Sequence, residues 1–182
     1  MLSLGLLFIF VWHFYIGYSR GLILQVYYFI ASLLSLVIAS QSYQTLADKI
    51  TLWIPYSNAG QGAQVSFFTD INLFDLDRVY YAGIAFTAIY ALVYGIFRIV
   101  GIVVHLAPIN YFDNVKTNGI SGVLAVLVTL IACSLVLTVL ATIPMTIVQD
   151  TLSGSFLARL IINDCPFMSH LLKHLWGAAT LT

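Results

Sequence analysis

Long runs of apolar residues, separated by short polar or charged segments, dominate the pattern of this chain. A helix needs about 20 mostly apolar residues to cross the hydrocarbon core of a bilayer. Four runs approach or exceed that length, and they predict membrane-spanning helices over residues 2–18, 22–42, 79–106 and 119–143. The pattern therefore predicts an all-α integral membrane protein with four transmembrane helices.

A fifth uncharged run, from Thr51 to Thr69, differs because it contains Pro55, two glycines and several amide side chains. Within hydrocarbon these polar groups would lack hydrogen-bond partners. We therefore interpret residues 43–78 as a long loop outside the membrane, with Trp53 and Tyr56 in the headgroup layer. The first run is interpreted as a retained helix rather than a signal peptide, because no Lys or Arg precedes it and no small-residue cleavage site follows.

The tail, residues 145–182, has a different apolar pattern. Apolar residues recur there at helical spacing in two groups, which are Phe156, Leu157, Leu160 and Ile161, and Phe167, Leu171, Leu172 and Leu175. Charged or polar residues occupy the other faces, and Pro166 disfavours helix at the residue before it. The pattern predicts one or two amphipathic helices that lie at the membrane surface.

Composition supports the membrane assignment. Hydrophobic residues make up 61% of the chain and charged residues 8%, with zero formal net charge, and the mean hydropathy is +0.99. Soluble domains use about a quarter of their residues for charge, and nucleic-acid binding requires a clustered basic surface. These values exclude a soluble enzyme, a disordered chain and a nucleic-acid binder. The expected partners are the lipid bilayer and either further copies of the chain or other envelope proteins.

Small residues recur at a spacing of four in three predicted spans. The rows are Ala31, Ser35 and Ala39; Gly83, Thr87, Ala91 and Gly95; and Ser121, Ala125, Thr129 and Cys133. Membrane helices associate by close packing at such residues. We interpret the rows as contacts within a four-helix bundle, with a homo-oligomer interface or a pore lining as the alternative.

Candidate chemistry is sparse. His170 and His174 have the spacing of a zinc-binding pair, with Asp164 and Cys165 nearby, but we favour a solvated or interfacial helix face. Ser153-Gly154-Ser155 lacks the flanking residues of a nucleophile elbow. The mid-span His13 is interpreted as a packing residue rather than a ligand. We therefore predict no enzymatic activity, no cofactor and no metal, and no disulfide between Cys133 and Cys165.

Two arginines mark one end of the predicted bundle. Arg98 interrupts an apolar run, and we interpret it as snorkelling to the headgroups, with binding of an anionic lipid or of a partner's carboxylate as the alternative. Arg20 lies in a hairpin that is almost without slack, where Gly21 is expected to occupy a backbone conformation that a side chain would resist. Arg20 is either an anchor of this turn or a group that recognises a carboxylate or phosphate through two hydrogen bonds.

Three local motifs occur in order along the chain. They are Gly17-x-x-Arg20-Gly21, then Asn114 followed by Gly119-x-x-Gly122, and Ser155 leading through Leu157 and Ile161 to Pro166. With the four-span layout they resemble the CvpA family, named for colicin V production, over nearly the whole chain. Trp53-Ile54-Pro55-Tyr56 is similar to members from Gram-positive bacteria. Two features depart from the pattern: Lys116-Thr117-Asn118 is unusually polar, and Ser153 makes the position of the tail serine ambiguous.

The resemblance implies a single membrane domain over residues 1–182, in the bacterial cytoplasmic membrane. It also implies a non-enzymatic scaffold or accessory factor in toxin production or export and in envelope homeostasis. An oligomeric small transporter or channel subunit is the alternative, suggested by polar residues in the spans, Ser35, Thr87, Thr129 and Thr138. The cations divide three against four between the two membrane sides, which leaves orientation undecided. The resemblance favours both termini outside the cytoplasm, because some members carry an external serine protease domain after the fourth span.

Overall fold

The computed structural model describes residues 1–56, 66–67, 76–104, 114–165 and 168–178. Within these ranges the secondary structure is helical, with no strand. The helices are α1 (Leu2–Arg20), α2 (Leu22–Ile50), α3 (Leu76–Val104), α4 (Val115–Ala141), α5 (Thr146–Ser153), α6 (Phe156–Asn163) and α7 (Met168–Ala178). Four of them, α1 to α4, are long and apolar enough to cross a membrane. The predicted fold class and the four spans are therefore confirmed.

The largest difference from the sequence prediction is the end of α2. Its 29 residues correspond to about 43 Å of helix, whereas the prediction ended at residue 42. The extra two turns are stable because Tyr43 is buried and Leu46, Ala47 and Ile50 pack against the core. The predicted loop over 43–78 is therefore wrong at both ends, since α2 continues to Ile50 and α3 begins at Leu76.

Smaller boundary differences occur in the other spans. Helix α1 continues to Arg20 rather than 18. Helix α3 is described as far as Val104, and residues 105 and 106 of its predicted span lie outside the described residues. Helix α4 begins four residues before the predicted start, because the Asn114 side chain caps it, and ends at Ala141 instead of 143. Polar residues at helix ends were excluded from the predicted apolar runs, although the helical backbone includes them.

The four spans pack in the spatial order α1, α4, α2, α3. Helix α1 lies mainly against α4, α4 also contacts α2, and α2 packs along most of α3. The α1–α2 turn, the end of α3 and the start of α4 are together at one end of this bundle, which we call the hairpin end. The tail helices pack at the opposite end, which we call the tail end.

The tail is a buried part of the bundle as well as an amphipathic segment. Trp176 is fully buried, and its ring lies 6.2 Å from that of Phe86 on α3. The Tyr43 hydroxyl donates a hydrogen bond to the Leu175 carbonyl at 2.8 Å. The described residues of the tail form three helices rather than the predicted one or two. Phe156 and Leu160 of the predicted apolar face are exposed, while Ile161 is buried.

The segment after α2 also packs more closely than predicted. Trp53 is exposed, but the Tyr56 ring lies 5.1 Å from the Tyr80 ring, and its hydroxyl donates to the Thr142 carbonyl at 2.8 Å. Burial raises the pKa of Tyr56 to about 12, so its hydroxyl stays protonated and able to donate. Tyr56 therefore attaches this segment to the bundle.

The rows of small residues serve different contacts. Ala31, Ser35 and Ala39 are buried between helices, as are Ser121, Ala125 and Thr129. The row on α3 is not a contact along its length, because Ala91 is exposed and a Cβ on Gly95 would meet nothing within 4 Å. The buried face of α3 instead carries Val79, Ala82, Phe86 and Tyr90. Bundle packing explains two of the rows.

Candidate functional site

The hairpin end is built around a one-residue turn. Gly21 separates α1 from α2, and its φ of 84° lies where glycine is favoured over every residue with a Cβ. This agrees with the expectation for Gly21. The short turn places Arg20 at the end of its helix with little freedom to move away from α2.

Gly17 allows α1 to approach α4 backbone to backbone. A Cβ on Gly17 would overlap the Ala125 side chain and would lie 2.8 Å from the Ser121 carbonyl oxygen. The Ser121 hydroxyl, which is fully buried, lies within hydrogen-bond distance of the Gly17 carbonyl and of the Gly21 carbonyl, the latter at 3.0 Å. The Gly17 carbonyl lies in the last turn of α1, where intrahelical donors run out, and the Gly21 carbonyl caps the start of α2, where it also accepts from the Gln25 amide. Ser121 therefore ties the turn to α4.

The two glycines after Asn114 have different surroundings. A Cβ on Gly122 would lie 2.6 Å from the Phe14 ring, whereas a Cβ on Gly119 would meet nothing within 4 Å. Asn114 itself caps α4: its side-chain oxygen accepts from the Val115 amide at 3.1 Å, and the Thr117 hydroxyl accepts from the Asn114 amide at 3.0 Å. Asn114 and Gly122 thus have structural explanations, and Gly119 has none from packing.

Arg20 and Arg98 come together on one aromatic ring. Their guanidinium carbons lie 5.3 Å and 5.9 Å from the centroid of the Tyr28 ring. Cations at this distance are attracted by the ring quadrupole, but the two like charges repel each other. Gly101 makes room for Tyr28, since a Cβ there would lie 2.6 Å from the Tyr28 hydroxyl oxygen. The fold therefore concentrates positive charge at this place.

A lateral cleft of about 370 Å³ extends from this charge pair toward the middle of the bundle. Its walls come from α1, α3 and α4, and most are apolar. Gln25 also lines it, is 2% exposed, and has a side-chain oxygen without a hydrogen-bond partner in the described part of the chain. The cleft thus combines two cations, an unsatisfied buried amide oxygen and a long apolar wall.

The tail motif lies elsewhere. The Ser155 hydroxyl accepts from the Ala158 amide at 3.3 Å and lies 2.8 Å from the Ser3 hydroxyl, while Ser153 is half-buried. Ser3 and Arg20 are at opposite ends of α1, which separates the two motifs by about 26 Å along the helix axis. Ser155 is thus a buried helix cap that joins the tail to α1, and Pro166 lies outside the described residues.

The other candidate chemistry does not assemble into a site. Among the residues that the structure describes, no group of three or more His, Cys, Asp or Glu side chains is placed to hold a metal ion. His174 is exposed and the His170 side chain is not described. The His13 ring nitrogen Nδ1 lies 2.9 Å from the Ile9 carbonyl one turn earlier. The two cysteines form no disulfide, and burial raises the pKa of the Cys165 thiol.

Comparison with known proteins places this architecture in a family. A sequence model described as colicin V production protein matches residues 2–166. The chain belongs to the colicin V production protein family. The match covers α1 to α6 and includes the hairpin motif, the α4 cap and the tail serine. Family membership also supports a multi-pass membrane protein, in agreement with the four spans.

A relative in Bacillus subtilis (strain 168) is similar over most of both chains. It is named "Uncharacterized transmembrane protein YshB" and is 32% identical over 167 residues, which is 88% of this chain and 89% of the relative. This relative is consistent with the expected similarity to family members from Gram-positive bacteria. No solved structure matches the chain.

Sequence reasoning identified Arg20, Gly21, Gly17 and Arg98 but missed the residues that connect them. Tyr28, Gly101 and Gln25 lie on helices whose relative rotation decides which residues meet. Gln25 alone carried a usable signal, since it is an amide within an apolar run. Ser121 was noted only as a member of a small-residue row.

Proposed function

We propose that this protein is a non-enzymatic accessory or scaffold protein of the bacterial cytoplasmic membrane, which supports toxin production or export and envelope homeostasis. Its family supports this role. The observation that carries the proposal is the Arg20 and Arg98 pair on Tyr28, supported by a rigid turn and open to the side of the bundle. A lateral opening suits contact with membrane-embedded partners or lipids.

The test is a deletion strain of a toxin-secreting host, complemented with the wild-type gene or an empty vector. An accessory role predicts less released toxin and greater sensitivity to envelope stress in the deletion strain, with both restored by the wild-type gene. Toxin release and stress survival that match the parent strain would contradict the proposal. Measuring cell-associated toxin as well separates a production defect from an export defect.

We also propose that the hairpin end faces the cytoplasm and that both termini lie outside it. Gln61, which is outside the described residues, then lies in an external loop, and Lys116 near the α4 cap faces inward. In a variant without Cys133 and Cys165, cysteine at Gln61 should react with an impermeant maleimide on intact cells. If the Lys116→Cys variant is labelled instead, the protein has the opposite orientation in the membrane.

The second candidate function is an oligomeric transporter or channel subunit. Ser35, Thr129 and Thr138, which suggested it, donate to carbonyls of their own helices inside the bundle. Thr87 favours the transporter or channel candidate. Its hydroxyl has no hydrogen-bond partner in the described ranges, and the residue lines a groove of about 360 Å³. Ion or solute flux into liposomes, with an oligomeric mass in native nanodiscs, would support this candidate, and a strict monomer without flux would contradict it.

A further inference from the structure

We propose that the lateral cleft binds one anionic phospholipid with a hydroxyl-bearing headgroup, such as phosphatidylglycerol. The phosphate lies between Arg20 and Arg98, a headgroup hydroxyl bonds to Gln25, and one acyl chain follows the apolar wall. This site goes beyond the accessory role proposed above and is testable on purified protein, independently of that role.

The charge pair determines the phosphate position. Arg20 is half-buried at the end of α1, Arg98 is exposed near the end of α3, and both lie against Tyr28. A guanidinium donates two parallel hydrogen bonds to phosphate oxygens, so two of them match a phosphodiester that presents oxygens to both sides. An anion there would relieve the repulsion between the two cations.

Gln25 determines the nature of the headgroup. Its side chain lies one turn after Gly21 on α2, is 2% exposed and lines the cleft. The orphaned oxygen needs a donor, because a buried acceptor without one costs about 1–3 kcal/mol. A glycerol hydroxyl supplies that donor, whereas the quaternary ammonium of phosphatidylcholine carries no hydrogen to donate. The site should therefore distinguish these two headgroups.

The apolar wall of the cleft determines where the acyl chain lies. On α1 the residues that line the cleft are apolar except for Arg20 and His13, and they run at helical spacing from Arg20 through Ile16, His13 and Ile9 to Leu6. That distance is about 21 Å along the helix, which exceeds the roughly 15 Å depth of one leaflet. Val128, Ala132 and Val136 form the facing wall on α4. An acyl chain can therefore stay in contact with protein from its headgroup to its end.

The experiment titrates delipidated protein in neutral detergent with phosphatidylglycerol or phosphatidylcholine of identical acyl chains, and native mass spectrometry counts the bound lipids. We expect one phosphatidylglycerol per chain, bound at least tenfold more tightly than phosphatidylcholine. Equal affinities would overturn the proposal. Displacement by inorganic phosphate at concentrations equal to that of the lipid would overturn it too, since the site would then bind free phosphate rather than a lipid.

Matched variants test the assigned residues. The double variant Arg20→Ala and Arg98→Ala should remove the headgroup preference. The double variant Arg20→Lys and Arg98→Lys keeps both charges and so controls for misfolding. It should bind phosphatidylglycerol about tenfold more weakly than wild type. Gln25→Leu should weaken binding three- to tenfold. Arg159→Ala on the exposed face of α6 is the control and should match wild type. Unchanged lipid binding in the arginine variants or in Gln25→Leu would overturn the assignment.

Two further outcomes would identify a different occupant. A dimer that forms in place of the lipid adduct would assign the cleft to a second copy and overturn the proposal. Asp113 adjoins Asn114 in the sequence and lies outside the described residues. Phosphatidylglycerol binding seen only in Asp113→Asn would show that this carboxylate occupies the cation pair, which would also overturn it.

Discussion

Replacing Gly17 by Ala tests the contact on which the hairpin end depends. The new methyl group would overlap the Ala125 side chain and lie 2.8 Å from the Ser121 carbonyl oxygen, so it meets backbone as well as side chain. Neither group can rotate away. Helix α1 must therefore move outward, which lengthens the hydrogen bonds that Ser121 makes to the turn.

The expected magnitude follows from three contributions. Overpacking costs about 1–3 kcal/mol, and weakening a buried hydrogen bond costs about 1–3 kcal/mol if the groups stay unsatisfied. The higher helix propensity of Ala returns about 1 kcal/mol. We therefore expect Gly17→Ala to lower the free energy of unfolding by about 3 kcal/mol.

The assay is unfolding by sodium dodecyl sulfate in mixed micelles, followed by circular dichroism. Gly95→Ala is the matched control, because a Cβ there would meet nothing within 4 Å, and it should be neutral or stabilise by up to about 1 kcal/mol. Adding Ala125→Gly to Gly17→Ala should restore part of the loss. If Gly17→Ala and Gly95→Ala agree within about 0.5 kcal/mol, the close approach of α1 and α4 is refuted.

Three further predictions concern the turn, the tail and the buried thiol. Gly21→Val should destabilise the protein by about 1–3 kcal/mol, measured in the same micelle assay, because Val at a φ of 84° is strained. Ser155→Ala should cost about 1 kcal/mol through loss of the α6 cap and should leave the preference for the phosphatidylglycerol headgroup unchanged, since the tail serine contacts Ser3, about 26 Å along α1 from Arg20. Burial raises the pKa of the Cys165 thiol, so folding favours its protonated form and stability should fall as the pH rises past the ordinary thiol pKa. Iodoacetamide should accordingly alkylate Cys165 more slowly in folded protein than in denatured protein at the same pH, and equal rates would contradict its burial.

The sequence was sufficient for the spans because each apolar run is long enough to cross a bilayer and is bounded by charge or proline. It was insufficient where tertiary contacts decide the outcome. Polar residues near the end of α2 resembled a loop, yet Tyr43 and Ile50 pack on the core and keep that segment helical. The tail resembled a segment at the membrane surface, yet its Trp176 is fully buried in the bundle.

In the candidate site too, local features follow from the sequence and contacts between helices do not. The unusual backbone of Gly21 follows from the shortness of its turn, and α1 and α2 could be placed without knowledge of the bundle. The meeting of Arg20 and Arg98 on Tyr28 depends on how α2 and α3 are rotated against each other, and Gly101 permits that contact. No spacing along the chain encodes such a rotation.

Complementation by the double variant Arg20→Ala and Arg98→Ala tests the central claim most directly, because it asks whether the charge pair at the hairpin end serves the cell. The deletion strain should express this variant, wild type or Arg159→Ala at equal membrane levels, and toxin release and envelope-stress survival are then measured. The account predicts that Arg159→Ala restores both and that the double variant restores neither. Full restoration by the double variant at wild-type membrane level would contradict it.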